Sequence, residues 1–309
     1  MTRSSDLDPK AVRLQFGRRR QRLIDGEFLL REVERRMFER LDVVRLAPAC
    51  AVDVGCGLGR GVSQLRQRYP SARVIGVDVA RPLLVQADAD HGAGADRSIG
   101  TRLRRWFGAV GAVGGAGGRT DAPAAAFVVA DAARLPLRDT SVDLLWSNLA
   151  WHWFADPIGA AEEFFRVLRP EGLLMFSSFG VDTMRELRAL GAPLPVFPDM
   201  HDVGDLLGKL GFAAPVMDTE RLTVTWSDPD ALMRDLRGLG GNALRTRRAG
   251  LTGRARRTAW RSALETLRGA DGLIAISFEI VHAHAWCPQR KPRRDGLAPV
   301  EFVARRPAR

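Results

Sequence analysis

Apolar residues recur at 29, 30, 33, 37, 41 and 44 of "FLLREVERRMFERLDVV" (28–44), the spacing of one helical face. The period then changes. "ACAVDVG" is a short apolar run that predicts a strand, and "RGVSQLRQRY" returns to helical spacing. "ARVIGVDVA" (72–80) predicts a second strand ending in Asp78. "RPLLVQADA" opens the next helix, with Pro82 in the first turn, where its missing N–H is not needed. "AFVVADAARLP" (126–136) and "SVDLLWSNLA" (141–150) predict strands three and four. "DPIGAAEEFFRVLRPEG" (156–172) reads as an amphipathic helix stopped by Pro170 and Gly172, with "LLMFSSFG" as strand five.

Strands alternating with helices predict an α/β fold with a parallel sheet covered on both faces. The continuously apolar "LLMF" and "VDLLW" fit strands buried on both sides. Beyond residue 200 the order changes. "HDVGDLLGKLGF" is helical, "PVMDTERLTVTW" is a strand, 228–270 is helical, and "LIAISFEIVHAHAW" (273–286) is a strand. The two late strands predict an antiparallel pair finishing the sheet edge, with a small helical cap inserted between them. One segment, 91–123, is too long and too rich in Gly and Ala for an ordinary connection. It is expected to be a flexible basic surface insertion. Its centre, "RSIGTRLRRWFGAV", also suits a short docking helix with Trp106 and Phe107 on one side.

Composition narrows the class. With 46% hydrophobic residues in 309, the chain has material for a large core. No apolar run approaches the roughly 20 residues of a membrane span. "MTRSSDLDPKAVRLQFGRRR" lacks the apolar stretch of a signal peptide, so a cytoplasmic protein is expected. The cysteines, Cys50, Cys56 and Cys287, are expected to be idle thiols. A net charge of +11 favours an acidic partner without naming one. Nucleic acid, anionic lipid and an acidic carrier protein all qualify, and so does a compositional bias toward arginine.

The candidate chemistry lies in "VDVGCGLGRG" (52–61). Its glycines, at 55, 57, 59 and 61, permit positive φ and close approach to a ligand. The spacing is G-x-G-x-G rather than the G-x-G-x-x-G of dinucleotide enzymes, which disfavours a nicotinamide cofactor. In a doubly wound sheet, ligands lie beyond the carboxyl ends of the strands. That rule gathers Gly55–Gly59, Asp78, Asp131 and Trp146–His152 into one crevice. Asp78 is placed to accept ribose hydroxyls and Asp131 to meet an adenine amine.

"VDVGCGLG", "VIGVD", "VVADAARLPL", "SVDLLWSNLAWHW" and "FFRVLRPEGLLMFSSFG" together resemble class I S-adenosylmethionine-dependent methyltransferases over about 45–180. The resemblance implies a doubly wound, mostly parallel, seven-stranded, Rossmann-like sheet. It also implies that Gly55, Gly57 and Gly59 pass the methionine part of the cofactor. Asp78 with Val79 would take the ribose, Asp131 with Ala132 the adenine, and Asp53 would fix the loop or meet the cofactor amine. Under this reading 1–45 is an N-terminal helical lid, 46–200 the cofactor-binding core, and 201–309 the part that completes the sheet.

"SNLAWHWFADP", "SSFGVDTMRELRAL", "FPDMHDVGDLLGKLGFAAPVMDTERLTVTW", "DLRGLGGNAL" and "EIVHAHAWCP" are similar to malonyl-acyl-carrier-protein O-methyltransferases of biotin synthesis. These esterify the free carboxylate of a malonyl thioester. The expected partner is therefore an acidic acyl carrier protein, met by a monomer, with no nucleic acid and no membrane insertion. The N-terminal block is shared with a related branch, an assembly factor of complex I that hydroxylates an arginine; that branch, or an S-adenosylmethionine-dependent methyltransferase of another small-molecule acceptor, is the alternative reading. Members of the methyltransferase family commonly carry a Tyr in the N-terminal helix, whereas this chain's only Tyr is Tyr69.

A malonyl carboxylate is already ionised at neutral pH, so no general base is required. Positioning is what remains, and Asn148, Trp151 and His152 at the crevice mouth are the candidates, with Asn148 also beside the cofactor. Trp153 would help exclude water. His282 and His284 share a strand face but have no third ligand at suitable spacing, so no metal is expected. Arg18, Arg19 and Arg20 precede the first long helix and could cover the cofactor.

Overall fold

The structure, a computed structural model, describes residues 6–18, 27–91, 125–240, 243–247 and 253–289. The chain runs α1 (Pro9–Arg18), α2 (Glu27–Asp42), β1 (Cys50–Val54), α3 (Arg60–Arg68), β2 (Arg73–Asp78), α4 (Arg81–His91) and β3 (Ala126–Val129). It continues through β4 (Val142–Ser147), α5 (Pro157–Val167), β5 (Leu168–Phe179), α6 (Arg185–Ala189), α7 (Met200–Leu210) and β6 (Ala213–Trp226). Helices α8 (Pro229–Gly238) and α9 (Arg254–Glu265) precede β7 (Ile274–Trp286). Of the basic triplet the Arg18 backbone ends α1, and Arg19 and Arg20, like residues 92–123 of the insertion, lie outside the described residues.

The seven strands form one sheet in the order β3-β2-β1-β4-β5-β7-β6. Strands β1 to β5 are parallel, and β7 runs antiparallel between β5 and β6. The antiparallel pair expected at the sheet edge is thus present, with α8 and α9 between its strands. The order reverses at β1, so the crevice of a doubly wound sheet opens beyond β1 and β4.

The period of two along β1 decides which groups reach that crevice from below. Val52 and Val54 join Leu145, Phe164 and Leu174 in the core on one face, while Ala51 joins Met37, Leu41 and Val62 on the other. Asp53 follows Ala51's parity and therefore faces α2 and α3. Helix α2 buries Leu29, Val33, Met37 and Leu41, as its spacing predicts, and also Glu34. Its outer side is fastened to the sheet edge by Arg36 to Glu220 and by Arg40 to Asp218 at 2.7 Å.

Helix α5 ends at Val167, five residues before the boundary expected from Gly172. Pro170 disfavours helical backbone at the residue before it, and Leu168 is already extended and paired with Val142 of β4. At its start, Asp156 accepts a hydrogen bond from the Gly159 N–H at 2.9 Å and Pro157 holds the first position. Cys50, Cys56 and Cys287 are all free and buried. Among the described residues, no helix is long and apolar enough to cross a membrane.

Candidate functional site

The chain leaves β1 through a turn that only glycine tolerates without strain. Gly55, Gly57 and Gly59 have φ of 77°, 52° and 79°. The Gly55 and Cys56 N–H groups donate to the Val77 carbonyl at 2.8 and 3.1 Å, which holds the turn against β2. A Cβ on Gly55 would lie 2.3 Å from the Ala150 Cβ, whereas one on Gly57 would meet nothing within 4 Å. Gly55 is thus closed in by the loop after β4, and Gly57 faces open cleft. Gly59 has a different role. It does not line the cleft, and its missing Cβ leaves room for the Phe127 ring and Ala87 at 3.0 Å.

Asp78, at the end of β2, binds the same turn. Its Oδ2 accepts from the Gly57 N–H at 3.0 Å and its Oδ1 from the Ala80 N–H at 2.7 Å. Each carboxylate oxygen retains acceptor capacity for a ligand hydroxyl. Burial raises the Asp78 pKa, and the Ala80, Gly57 and Val79 N–H groups oppose the rise. Val79, Asp131 and Ala132 also line the cleft, with Asp131 exposed and accepting from the Ala133 N–H at 3.0 Å.

Sequence reasoning missed a second acidic group, Glu34. A Cβ on Gly61 would lie 2.5 Å from Asp53 Oδ2 and 3.0 Å from Glu34 Oε1, so this glycine makes room for two carboxylates on one cleft wall. Glu34 Oε2 accepts from Arg60 Nε at 2.7 Å. Burial pushes the Glu34 carboxyl up to about 7 against the pull of Arg60. Asp53 is raised well above the carboxylate range by burial and then by the charges of Glu34 and Asp78. Two carboxylates whose pKa values are both raised suit a cationic ligand, since a positive charge stabilises their ionised forms. The signal for Glu34 was present in the sequence: it continues the row Leu30, Met37, Leu41 at spacings of four, three and four, an acid in the apolar stripe.

The loop after β4 supplies the third wall. Asn148 uses both ends of its amide: Nδ2 donates to the Leu30 carbonyl at 3.0 Å and Oδ1 accepts from Ser177 Oγ at 2.9 Å. It lines the cleft and also fastens α2 to it. Residues Trp151–Trp153 form a single 3₁₀ turn, in which successive side chains diverge by about 120°. Trp151 therefore does not reach the cleft as expected. It is 1% exposed and stacks on Phe176 at 4.6 Å in the core. His152 and Trp153 do line the cleft, and Trp153 meets Phe16 of α1 edge-on at 5.3 Å.

His152 Nδ1 accepts from the Phe179 N–H at 3.2 Å, which assigns the ring proton to Nε2. That Nε2 is buried and has no hydrogen-bond partner among the described residues. Burial lowers the His152 pKa to about 3, so the ring is a neutral donor at physiological pH. His282 and His284 lie elsewhere: His282 Nε2 pairs with Glu220 at 2.6 Å on the sheet beside α2. The N-terminal helices close the cleft, with Pro9, Val12, Arg13 and Phe16 from α1 and Leu30 and Glu34 from α2.

The residues fit S-adenosylmethionine: an open cradle at Gly57, Asp78 at the end of β2, two buried acids suited to a cationic group, and a donor at His152 that is unpartnered among the described residues. Fold and site together define a class I S-adenosylmethionine-dependent methyltransferase. A family model described as a methyltransferase domain matches residues 111–176. The YcgJ protein of Bacillus subtilis shares the fold, with a TM-score of 0.54 at 14% identity over 82% of this chain and 98% of that one. The malonyl-[acyl-carrier protein] O-methyltransferase of Laribacter hongkongensis is 40% identical over 100% of both chains. That of Methylovorus sp. is 40% identical over 97% of this chain and 96% of its own. The chain belongs to the malonyl-[acyl-carrier protein] O-methyltransferase family.

Proposed function

We propose that the protein methylates the free carboxylate of malonyl-acyl-carrier protein, giving the methyl ester used early in biotin synthesis, as a cytoplasmic monomer. The full-length similarity to relatives of that name carries the choice of substrate. The cleft supports the chemistry. When bound, S-adenosylmethionine supplies an electrophilic methyl group on a sulfonium sulfur. Gly55 and Gly57 leave its methionine part room, Asp53 and Glu34 balance its ammonium, and Asp78, Val79, Asp131 and Ala132 take the nucleoside.

The acceptor needs placing rather than deprotonating, because a carboxyl with a pKa near 4 is already ionised. His152 matches that need. Its Nδ1 is occupied by the Phe179 N–H, so it has no free basic nitrogen, and its neutral Nε2–H donates to a carboxylate oxygen. Trp153 and Phe16 keep water from the reacting carboxylate, and orientation of this kind is worth roughly 7–11 kcal/mol. Incubating the protein with S-adenosylmethionine and malonyl-acyl-carrier protein, then reading the carrier's mass, tests the reading.

A further inference from the structure

The cleft is rich in carboxylates, yet the substrate proposed for it is itself a carboxylate. Among the described residues five acids line it, Glu27, Glu34, Asp53, Asp78 and Asp131, against two guanidinium groups, of Arg13 and Arg60. Arg60 is taken up by Glu34 at 2.7 Å. Glu27 is held from outside the cleft by Arg31. Among the described residues, Arg13 has no carboxylate, carbonyl or ring partner. It stands on α1 with Pro9, Val12 and Phe16, a spacing of i, i+3, i+4 and i+7 that turns one helical face to the cleft.

An anion entering a site with this balance is repelled by the acids and has, among the described residues, one uncommitted guanidinium to meet. The planar fork of arginine accommodates both oxygens of a carboxylate at once. From this charge balance we infer that Arg13 is the carboxylate receptor of the cleft. The inference rests on the methyltransferase reading above. Two carboxylates would be present in a loaded site, that of the malonyl group and that of the cofactor's methionine, and binding measurements separate them.

The test uses R13Q and R13K, at an exposed position whose loss leaves the core intact. Calorimetry with S-adenosylhomocysteine and with 5′-methylthioadenosine, which lacks the amino-acid part, reads the cofactor source. Calorimetry of the S-adenosylhomocysteine-saturated protein with malonyl-acyl-carrier protein and with its methyl ester reads the substrate source. A loss of about 10- to 100-fold in R13Q, confined to malonyl-acyl-carrier protein, assigns Arg13 to the malonyl carboxylate. The same loss confined to S-adenosylhomocysteine assigns it to the cofactor. In either case R13K recovers part of the affinity. Equal loss for the malonyl carrier and its ester overturns the inference, because the receptor would then be reading the carrier or its phosphate. Unchanged affinities overturn it as well. A wild-type protein that binds none of these ligands undoes the methyltransferase reading itself, which a normal wild type with an unaffected R13Q does not.

Discussion

Asn148, at the end of β4, donates its Nδ2–H to the Leu30 carbonyl of α2 across 3.0 Å, while its Oδ1 accepts from Ser177. One side chain thus ties the N-terminal helix to the loop that carries His152. Replacing it with alanine removes both of these hydrogen bonds, although the Ser177 oxygen still accepts from the Leu149 N–H at 2.9 Å. N148A is expected to lose about 1–3 kcal/mol in urea unfolding and to bind S-adenosylhomocysteine more weakly. An unchanged unfolding midpoint would show that α2 is held by its apolar face alone.

The two glycines of the turn make opposite predictions. G55A forces a Cβ to within 2.3 Å of Ala150 at a φ of 77°, so it should lower the thermal midpoint. A Cβ on Gly57 meets no described atom within 4 Å, so G57A carries only the strain of a φ of 52° and should lower the thermal midpoint less than G55A, while S-adenosylhomocysteine affinity falls by about tenfold or more. Calorimetry beside a melting curve separates these outcomes. Equal effects of the two variants on both readings would remove Gly57 from the cofactor cradle.

Glu34 makes cofactor binding pH-dependent. Its carboxyl, pushed up to about 7, is partly protonated in the free protein at neutral pH. An ammonium placed beside it favours the ionised form, so binding releases protons and affinity rises from pH 6 to pH 8. The same shift, upward from an unfolded value near 4.3, makes the free protein lose stability as pH rises from that value through about 7. Heats of S-adenosylhomocysteine binding in buffers of different ionisation enthalpy measure the release, and E34Q should abolish the part that titrates near neutrality. Buffer-independent heats in the wild type would contradict this account.

His152 is expected to act without titrating. With its pKa lowered to about 3, it imposes no loss of activity between pH 8 and pH 6. H152F removes the Nε2–H donor and should lower kcat/KM for malonyl-acyl-carrier protein by about 10- to 100-fold. Cofactor affinity should change far less. A steep fall in wild-type activity near pH 6.5 that disappears in H152F would instead make His152 a titrating base.

Much of this was legible in the chain. The alternation of apolar runs and helical stripes placed all seven strands. The glycine spacing with Asp78 and Asp131 located the crevice, because strand ends in a doubly wound sheet converge by topology alone. What was not legible depended on which way a side chain turns. "WHW" does not show which of its rings face the cleft, and a 3₁₀ turn sends Trp151 into the core and leaves His152 and Trp153 at the cleft. Gly59 looked like its neighbours and instead admits the Phe127 ring. The end of α5 was misplaced because Pro170 acts on the residue before it, and β5 already claims Leu168.

The central claim is tested most directly by incubating purified protein with S-adenosylmethionine and malonyl-acyl-carrier protein and weighing the intact carrier. The account predicts a gain of one methyl group in place of the carboxyl proton, lost again on ester hydrolysis and absent with acetyl-acyl-carrier protein. Folded protein that binds S-adenosylhomocysteine but leaves the malonyl carrier's mass unchanged would contradict it.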